Sequence, residues 1–155
     1  MDKKVTLRNM NTLSLDPATK CGWAHSCGAS GTWDLSIRRD ESKGMRLIRF
    51  KGKLNEILRD AGVDLVVYEA ARFKGMGGPL VVQSEIQGVL KVWCEENGIE
   101  YRAYSSKEIK AHAVGGSANK QQMIDAASKA FPVKIEDDNH ADALWLLSLS
   151  MRDYK

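Results

Sequence analysis

Val63-Asp-Leu-Val-Val-Tyr-Glu69 is the stretch from which the rest of the chain can be organised. It is short, apolar and rich in β-branched valine, and it stops at a carboxylate. A run of this kind, bounded by turn residues, is a central strand covered on both faces. On its N-terminal side Leu47, Phe50, Leu54, Ile57, Leu58 and Ala61 recur every three or four residues, so 44–61 is an amphipathic helix with Gly62 just past its end. On its C-terminal side Val82, Ile86, Val89, Leu90 and Trp93 give a second helix over 80–97, closed by Gly98. Ile99-Glu-Tyr-Arg-Ala-Tyr104 then alternates as a further strand.

Working outward, Thr12-Leu-Ser-Leu-Asp16 alternates polar and apolar residues and also ends at an acid, with Pro17-Ala-Thr-Lys20 as the turn. Cys21-Gly-Trp-Ala-His25 and Gly31-Thr-Trp-Asp-Leu-Ser36 are two more short strands. Three strands joined this tightly form an antiparallel meander, because parallel neighbours need a long crossover. Beyond Tyr104 the chain is helical. Ser105 and Glu108 match a capping box, Val114-Gly-Gly-Ser-Ala118 breaks the helix, Asn119 caps the next, and a last helix runs over 139–151. The expected class is α/β: a mixed five-stranded sheet, three strands in an antiparallel meander plus two parallel strands, flanked by helices.

The chain has 155 residues, the size of one domain, with 1–11 expected to be a flexible or partly ordered N-terminus. Hydrophobic residues make up 43% and charged residues 28%, which excludes a disordered chain. No apolar run reaches membrane-span length, and the first residues carry no secretory pattern. Three cysteines cannot pair completely, so they are expected to be reduced thiols in the cytoplasm. A net charge of +3 permits a polyanionic partner without requiring one.

The chemistry lies in the acids. Asp16 and Glu69 close two strands expected to be parallel neighbours, at the sheet rim where ligands bind. Like charges so close need a proton or a cation between them. Glu136-Asp-Asp-Asn-His-Ala-Asp142 opens the last helix, and Asp138 and Asp142, four apart, share one face of it. Carboxylates converging from two strands and a helix make a hard-oxygen site suited to magnesium or manganese. Two such ions about 3.5–4 Å apart stabilise both the attacking and the leaving oxygen of a phosphodiester. The alternatives are structural: Asp16 opening a turn before Pro17, and Asp137 or Asp138 capping the last helix. Glu69, closing so apolar a run, needs a partner in any case.

Leu15-Asp-Pro-Ala-Thr-Lys-Cys-Gly-Trp-Ala24, Val67-Tyr-Glu-Ala-Ala71 and Asp138-Asn-His-Ala-Asp-Ala-Leu144 together resemble the RuvC-type Holliday junction resolvases of the ribonuclease-H-like superfamily. Tyr104-Ser-Ser-Lys-Glu-Ile-Lys110, followed by Gly115-Gly-Ser-Ala-Asn-Lys120, is similar to that family's lysine-bearing helix and glycine loop, one residue shorter in the loop. Gln87-Gly88 matches the helix after the glutamate, and the short length resembles phage-encoded members. The similarity spans 12–150 in order.

The resemblance implies a ribonuclease-H-like fold and a magnesium-dependent endonuclease, with manganese as substitute. Such an enzyme cuts four-way DNA junctions in recombination and repair by two-metal hydrolysis. Asp16, Glu69 and Asp142 match the family's metal ligands. The fourth ligand usually stands three residues before the last aspartate, where this chain has Asn139. Asp138 can supply that carboxylate, Asn139 or His140 can take a weaker role, or Asn139 is an inactivating change; Asp138 is preferred, because an i/i+4 pair reaches one ion about as well as an i/i+3 pair. Lys110 would orient water or stabilise charge in the transition state. DNA would meet Arg72, Phe73 and Lys74 on the glycine-bearing loop after Glu69, with Phe73 as the wedge, and Lys120 at a helix start. A two-fold junction needs two active sites, so a homodimer is expected, with the helix 80–97 as the interface. If the chain is phage-encoded, the host cytoplasm is its compartment.

Other assignments are weaker. A broader branched-DNA or RNA nuclease of the same superfamily would share every carboxylate, and a catalytically impaired junction-binding protein would share the fold. Arg38, Arg39, Lys43 and Arg46 form a solvated face. Trp23, Trp33 and Trp93 are core residues. Cys21, His25 and Cys27 lack a fourth ligand for zinc.

Overall fold

The computed structural model describes residues 10–71 and 77–154. Ten elements follow in order: β1 (Thr12–Asp16), β2 (Lys20–His25), β3 (Ser30–Asp34), α1 (Gly44–Ala61), β4 (Leu65–Glu69), α2 (Gly78–Asn97), β5 (Glu100–Tyr104), α3 (Ser106–Ala113), α4 (Lys120–Ala130) and α5 (Asp138–Asp153). They build one five-stranded sheet in the order β3-β2-β1-β4-β5. The meander β1–β2–β3 is antiparallel, while β1–β4 and β4–β5 are parallel. This is the mixed sheet expected from the sequence. Residues 10 and 11 are tied to the sheet, since the Asn11 amide donates to the Asp64 carboxylate at 2.9 Å and Met10 packs on the core. Most of the expected N-terminal tail falls outside the described residues.

Strand periodicity divides the core between the two faces of the sheet. On one face Leu13 and Leu15 of β1, Cys21 of β2, Trp33 of β3, and Val66 and Tyr68 of β4 meet Phe50 and Leu54 of α1 and Ile86, Leu90 and Trp93 of α2. Trp23 and Trp33 stack there at 5.3 Å, and the Trp93 indole N–H donates to the Asn55 side chain at 2.8 Å. Trp33 and Trp93 are buried and Trp23 is partly so, all three in the core. On the other face Leu65 and Val67 of β4 pack beneath Ile109, Met123, Leu146 and Leu149 of α3, α4 and α5, and Ala24 beneath Ala143 and Leu144.

The polar residues of β1 do not face solvent, contrary to the usual meaning of such alternation. All five residues of the strand are buried, because α5 lies across that face. Two transverse rows of small or polar residues receive the helix. Register places Thr32, Gly22 and Asp16 in one row and Ser30, Ala24 and Ser14 in the next. The Ser14 hydroxyl, fully buried, donates to the Ala143 carbonyl of α5 at 2.6 Å. At Gly22 an added Cβ would lie 1.9 Å from the Asn139 carbonyl oxygen, so only glycine admits the helix there.

The helix ends follow the capping signals. Ser105 and Glu108 form the reciprocal box that opens α3, and Asn119 with Gln122 does the same for α4. Asp137 caps α5, accepting from the His140 amide at 2.8 Å and from the Thr32 hydroxyl at 2.9 Å.

Candidate active site

Parity brings the acids together. Asp16 occupies the same face of β1 as Ser14, and Glu69 the same face of β4 as Leu65 and Val67. The parallel register pairs Leu15 with Tyr68, so one further step sets Asp16 level with Glu69 at the C-terminal rim. Asp142, on the α5 turn above them, completes a trio whose carboxylate oxygens lie within 4.8 Å of one another. A one-residue slip of either strand would turn its acid to the opposite face.

Three carboxylates this close oppose one another's ionisation. Burial foremost, and then the charge of Glu69 and a hydrogen bond with it, hold the Asp16 carboxyl well above its usual range; Asp142 and Asp138 add to the effect. Asp142 is pushed up to about 7, first by burial and then by the charges of Glu69 and Asp138, against the opposing pull of Lys110 on α3. Burial, together with the charge of Asp16, pushes the Cys21 thiol up as well, which makes it an inert core group. A divalent cation would relieve the repulsion among the acids, and an all-oxygen, anionic donor set is the set that magnesium or manganese takes.

The remaining expected positions divide. Asp138 lies on the first turn of α5 outside the trio, and its carboxylate is 3.5 Å from the Lys120 ammonium. Its charge nevertheless bears on both Asp16 and Asp142. The backbone of Asn139 packs against Gly22. His140 is buried with both ring nitrogens engaged: Nδ1 accepts the Glu136 amide at 3.0 Å, and Nε2 lies 2.8 Å from the Ser30 hydroxyl. It anchors the helix instead of facing the acids. Lys120, exposed at the start of α4, stands beside amides of which the Asn119 side chain already takes that of Gln122. Arg72, Phe73 and Lys74 lie outside the described residues.

A cleft of about 260 Å3 opens at the acids, lined by Asp16, Pro17, Glu69, Pro79, Gln83 and Ser106 among others. Gln83 and Ser106 were not anticipated. Gln83 precedes Gln87 by one helical turn, and the Gln87 side-chain amide donates to the Glu69 carbonyl at 3.4 Å. Two glutamines at that spacing on the helix after a strand-ending glutamate were the available signal. His25 is spoken for: Nε2 lies 2.8 Å from the Gly62 carbonyl, and Nδ1 accepts the Cys27 amide at 2.9 Å. Among the described residues the acidic trio is the one cluster with metal-binding geometry.

A mixed sheet in the order β3-β2-β1-β4-β5, with acids at the adjoining ends of its two central parallel strands and another on the covering helix, is the ribonuclease-H-like fold. Among solved structures the RuvC form of that fold matches. Thermus thermophilus RuvC in complex with a Holliday junction substrate aligns over 94% of this chain and 95% of its own, with a TM-score of 0.76 and 18% identity. A further Thermus thermophilus RuvC structure aligns over 94% of both chains at a TM-score of 0.71 and 20% identity. The yeast mitochondrial Holliday junction resolvase covers 94% of this chain and 80% of its own at a TM-score of 0.63 and 12% identity. No protein-family model matches the sequence, and no curated protein matches it at a significant level. None of the helices among the described residues is long and apolar enough to cross a membrane.

Proposed function

We propose that the protein is a magnesium-dependent endonuclease that cuts four-way DNA junctions. The observation that carries this reading is the meeting of Asp16, Glu69 and Asp142 within 4.8 Å, on a fold shared with a RuvC bound to a Holliday junction. Asp16, Glu69 and Asp142 would hold the metal, with Asp138 as the fourth carboxylate once it leaves Lys120. Bound there, magnesium or manganese supplies Lewis-acid stabilisation to the attacking and leaving oxygens of a phosphodiester.

The protein's own groups do the rest. The sheet rim and α5 fix Asp16, Glu69 and Asp142 before substrate arrives, so of the four carboxylates only Asp138 has to move. Asp142 must give up its proton to act as a ligand, which ties metal affinity to pH. Lys110, whose charge reaches Asp142, orients the attacking water or balances charge in the transition state. Lys120 contacts a phosphate, as do Arg72 and Lys74, with Phe73 stacking on an unpaired base. A homodimer would present two sites to a two-fold junction. The apolar groove between α1 and α2, lined by Ile48, Val89, Val92 and Trp93 with Ile48 and Val92 exposed, supports that surface as the interface.

The test is cleavage of a labelled synthetic four-way junction in magnesium, beside linear duplex, flap and RNA–DNA hybrid. Paired symmetric nicks in the junction alone, absent in Asp16→Asn, are expected. Equal nicking of flaps and forks would replace the reading with a broader branched-DNA nuclease. Junction binding without cleavage in either metal would make the protein a binder.

A further inference from the structure

Ser14 and Gly22 take no part in the metal site just proposed, yet they sit where its geometry is set. Ser14 is two residues before Asp16 on the same face of β1, and its hydroxyl donates at 2.6 Å to the carbonyl of Ala143, the residue directly after Asp142. It also lies 3.3 Å from the Ala24 carbonyl on the neighbouring strand. Gly22 stands opposite Asp16 in the antiparallel register. A Cβ on it would lie 1.9 Å from the Asn139 carbonyl oxygen and 2.8 Å from the His140 nitrogen. Strand and helix are thus held at two points that bracket the interval from Asn139 to Ala143, and Asp138 and Asp142 lie on or beside that interval. Neither contact touches a carboxylate.

We infer that Ser14 and Gly22 are positioning residues: the Ser14–Ala143 hydrogen bond and the missing side chain at Gly22 fix the separation between Asp16 on the sheet and Asp142 on α5, and so the affinity of the site for a divalent cation. The inference rests on the metal-site reading. Several physical points favour a positioning role over ordinary core packing. The Ala143 carbonyl already has a place in the hydrogen-bonding pattern of α5, so Ser14 adds a second donor where helix integrity needs none. The Ser14 hydroxyl lies 2.6 Å from the Ala143 carbonyl against 3.3 Å from that of Ala24, so the helix carbonyl is its close acceptor and the contact is specific to one helix height. At Gly22 the constraint is spatial, since its backbone is ordinary strand. A methyl there lifts the first turn of α5 off β2, while Thr32–Asp137 and Ser30–His140 still hold it to β3, so the helix tilts about those bonds.

The experiment measures Mn2+ binding by calorimetry on the full chain, without DNA, for wild type, Ser14→Ala, Ser14→Cys and Gly22→Ala. Leu54→Ala on α1, fully buried and outside the groove between α1 and α2, serves as a control on the opposite face. Ser14→Ala is nearly isosteric and is expected to fold with a small loss of thermal stability. It should bind Mn2+ about tenfold more weakly, the low end of what losing an outer-shell partner costs. Ser14→Cys, which keeps a weak donor, should recover part of the loss. Gly22→Ala should lose at least as much affinity as Ser14→Ala, and Leu54→Ala should lose none whatever its melting temperature. Hydrogen exchange over residues 139–147 should quicken in Ser14→Ala and Gly22→Ala while α1 is unchanged. Wild-type affinity in Ser14→Ala, or an equal loss of affinity in an equally destabilised Leu54→Ala, would overturn the inference. If wild type itself binds no Mn2+, the metal-site reading fails. Exchange over 139–147 then tests the seat alone, and unchanged exchange in Ser14→Ala refutes it.

Discussion

The two faces of the sheet are built from different materials. Beneath α1 and α2 the strands present Leu13, Leu15, Trp33, Val66 and Tyr68, large groups that interlock with Phe50, Leu54, Leu90 and Trp93. Beneath α5, strands β1 to β3 present Ser14, Asp16, Gly22, Ala24, Ser30 and Thr32, which are small or hydrogen-bonding. The first face gains its stability from area removed from water, which is tolerant of exact geometry. The second face gives up part of that area for defined bonds: Ser14 to Ala143, Thr32 to Asp137 and Ser30 to His140. One face supplies stability and the other supplies position, and the acids stand on the second.

That contrast can be broken at several points. The largest effect should come from Asp16→Asn, which reduces metal-dependent junction cleavage to background in a gel assay. Because it removes a buried, mutually repelling acid, the metal-free variant should melt about 4 °C higher than wild type in calorimetry. Leu90→Ala on the other face should do the opposite. It should lose about 2–5 kcal/mol in urea unfolding while the folded fraction binds Mn2+ with unchanged affinity.

A pH series sharpens the same comparison. Asp16 and Asp142 are raised in the folded state, so between the unfolded carboxyl range near about 4 and the value of about 7 for Asp142 the native state binds more protons than the unfolded one. Stability of the metal-free protein should therefore fall as pH rises through that window, by about 5 °C in melting temperature, and Mn2+ should offset the loss at the alkaline end. The smallest structural effect belongs to Lys120→Ala. Its ammonium is exposed and its partner Asp138 only partly buried, so stability should stay within about 0.5 kcal/mol of wild type, while the salt slope of junction binding falls by about one.

Much of this was legible beforehand where local chemistry and tertiary context agree. The valines of Leu65–Tyr68, the period of α1 and α2, and the Ser105–Glu108 box each had one physical solution, and the structure adopts it. Legibility ended where a residue's meaning depends on what lies opposite. The alternation of Thr12–Asp16 gave no sign that its polar side is covered, because a helix more than a hundred residues later supplies the cover. Gln83 and Ser106 join the cleft only when α2 and α3 are set around the end of β4. His140 shows the converse case. A histidine between two acids resembles a ligand by position, yet helical geometry turns its ring toward β3, where both nitrogens are engaged.

By itself the sequence determined the order of elements, the sheet's mixed character and the acids that close its two central strands, since periodicity, turns and caps act over a few residues. Only the tertiary structure decided that Asp16, Glu69 and Asp142 share one face within 4.8 Å, that Asp138 turns to Lys120 at the rim, and that small side chains seat the helix. Strand register and helix height are set by contacts between distant segments, and no local pattern specifies them.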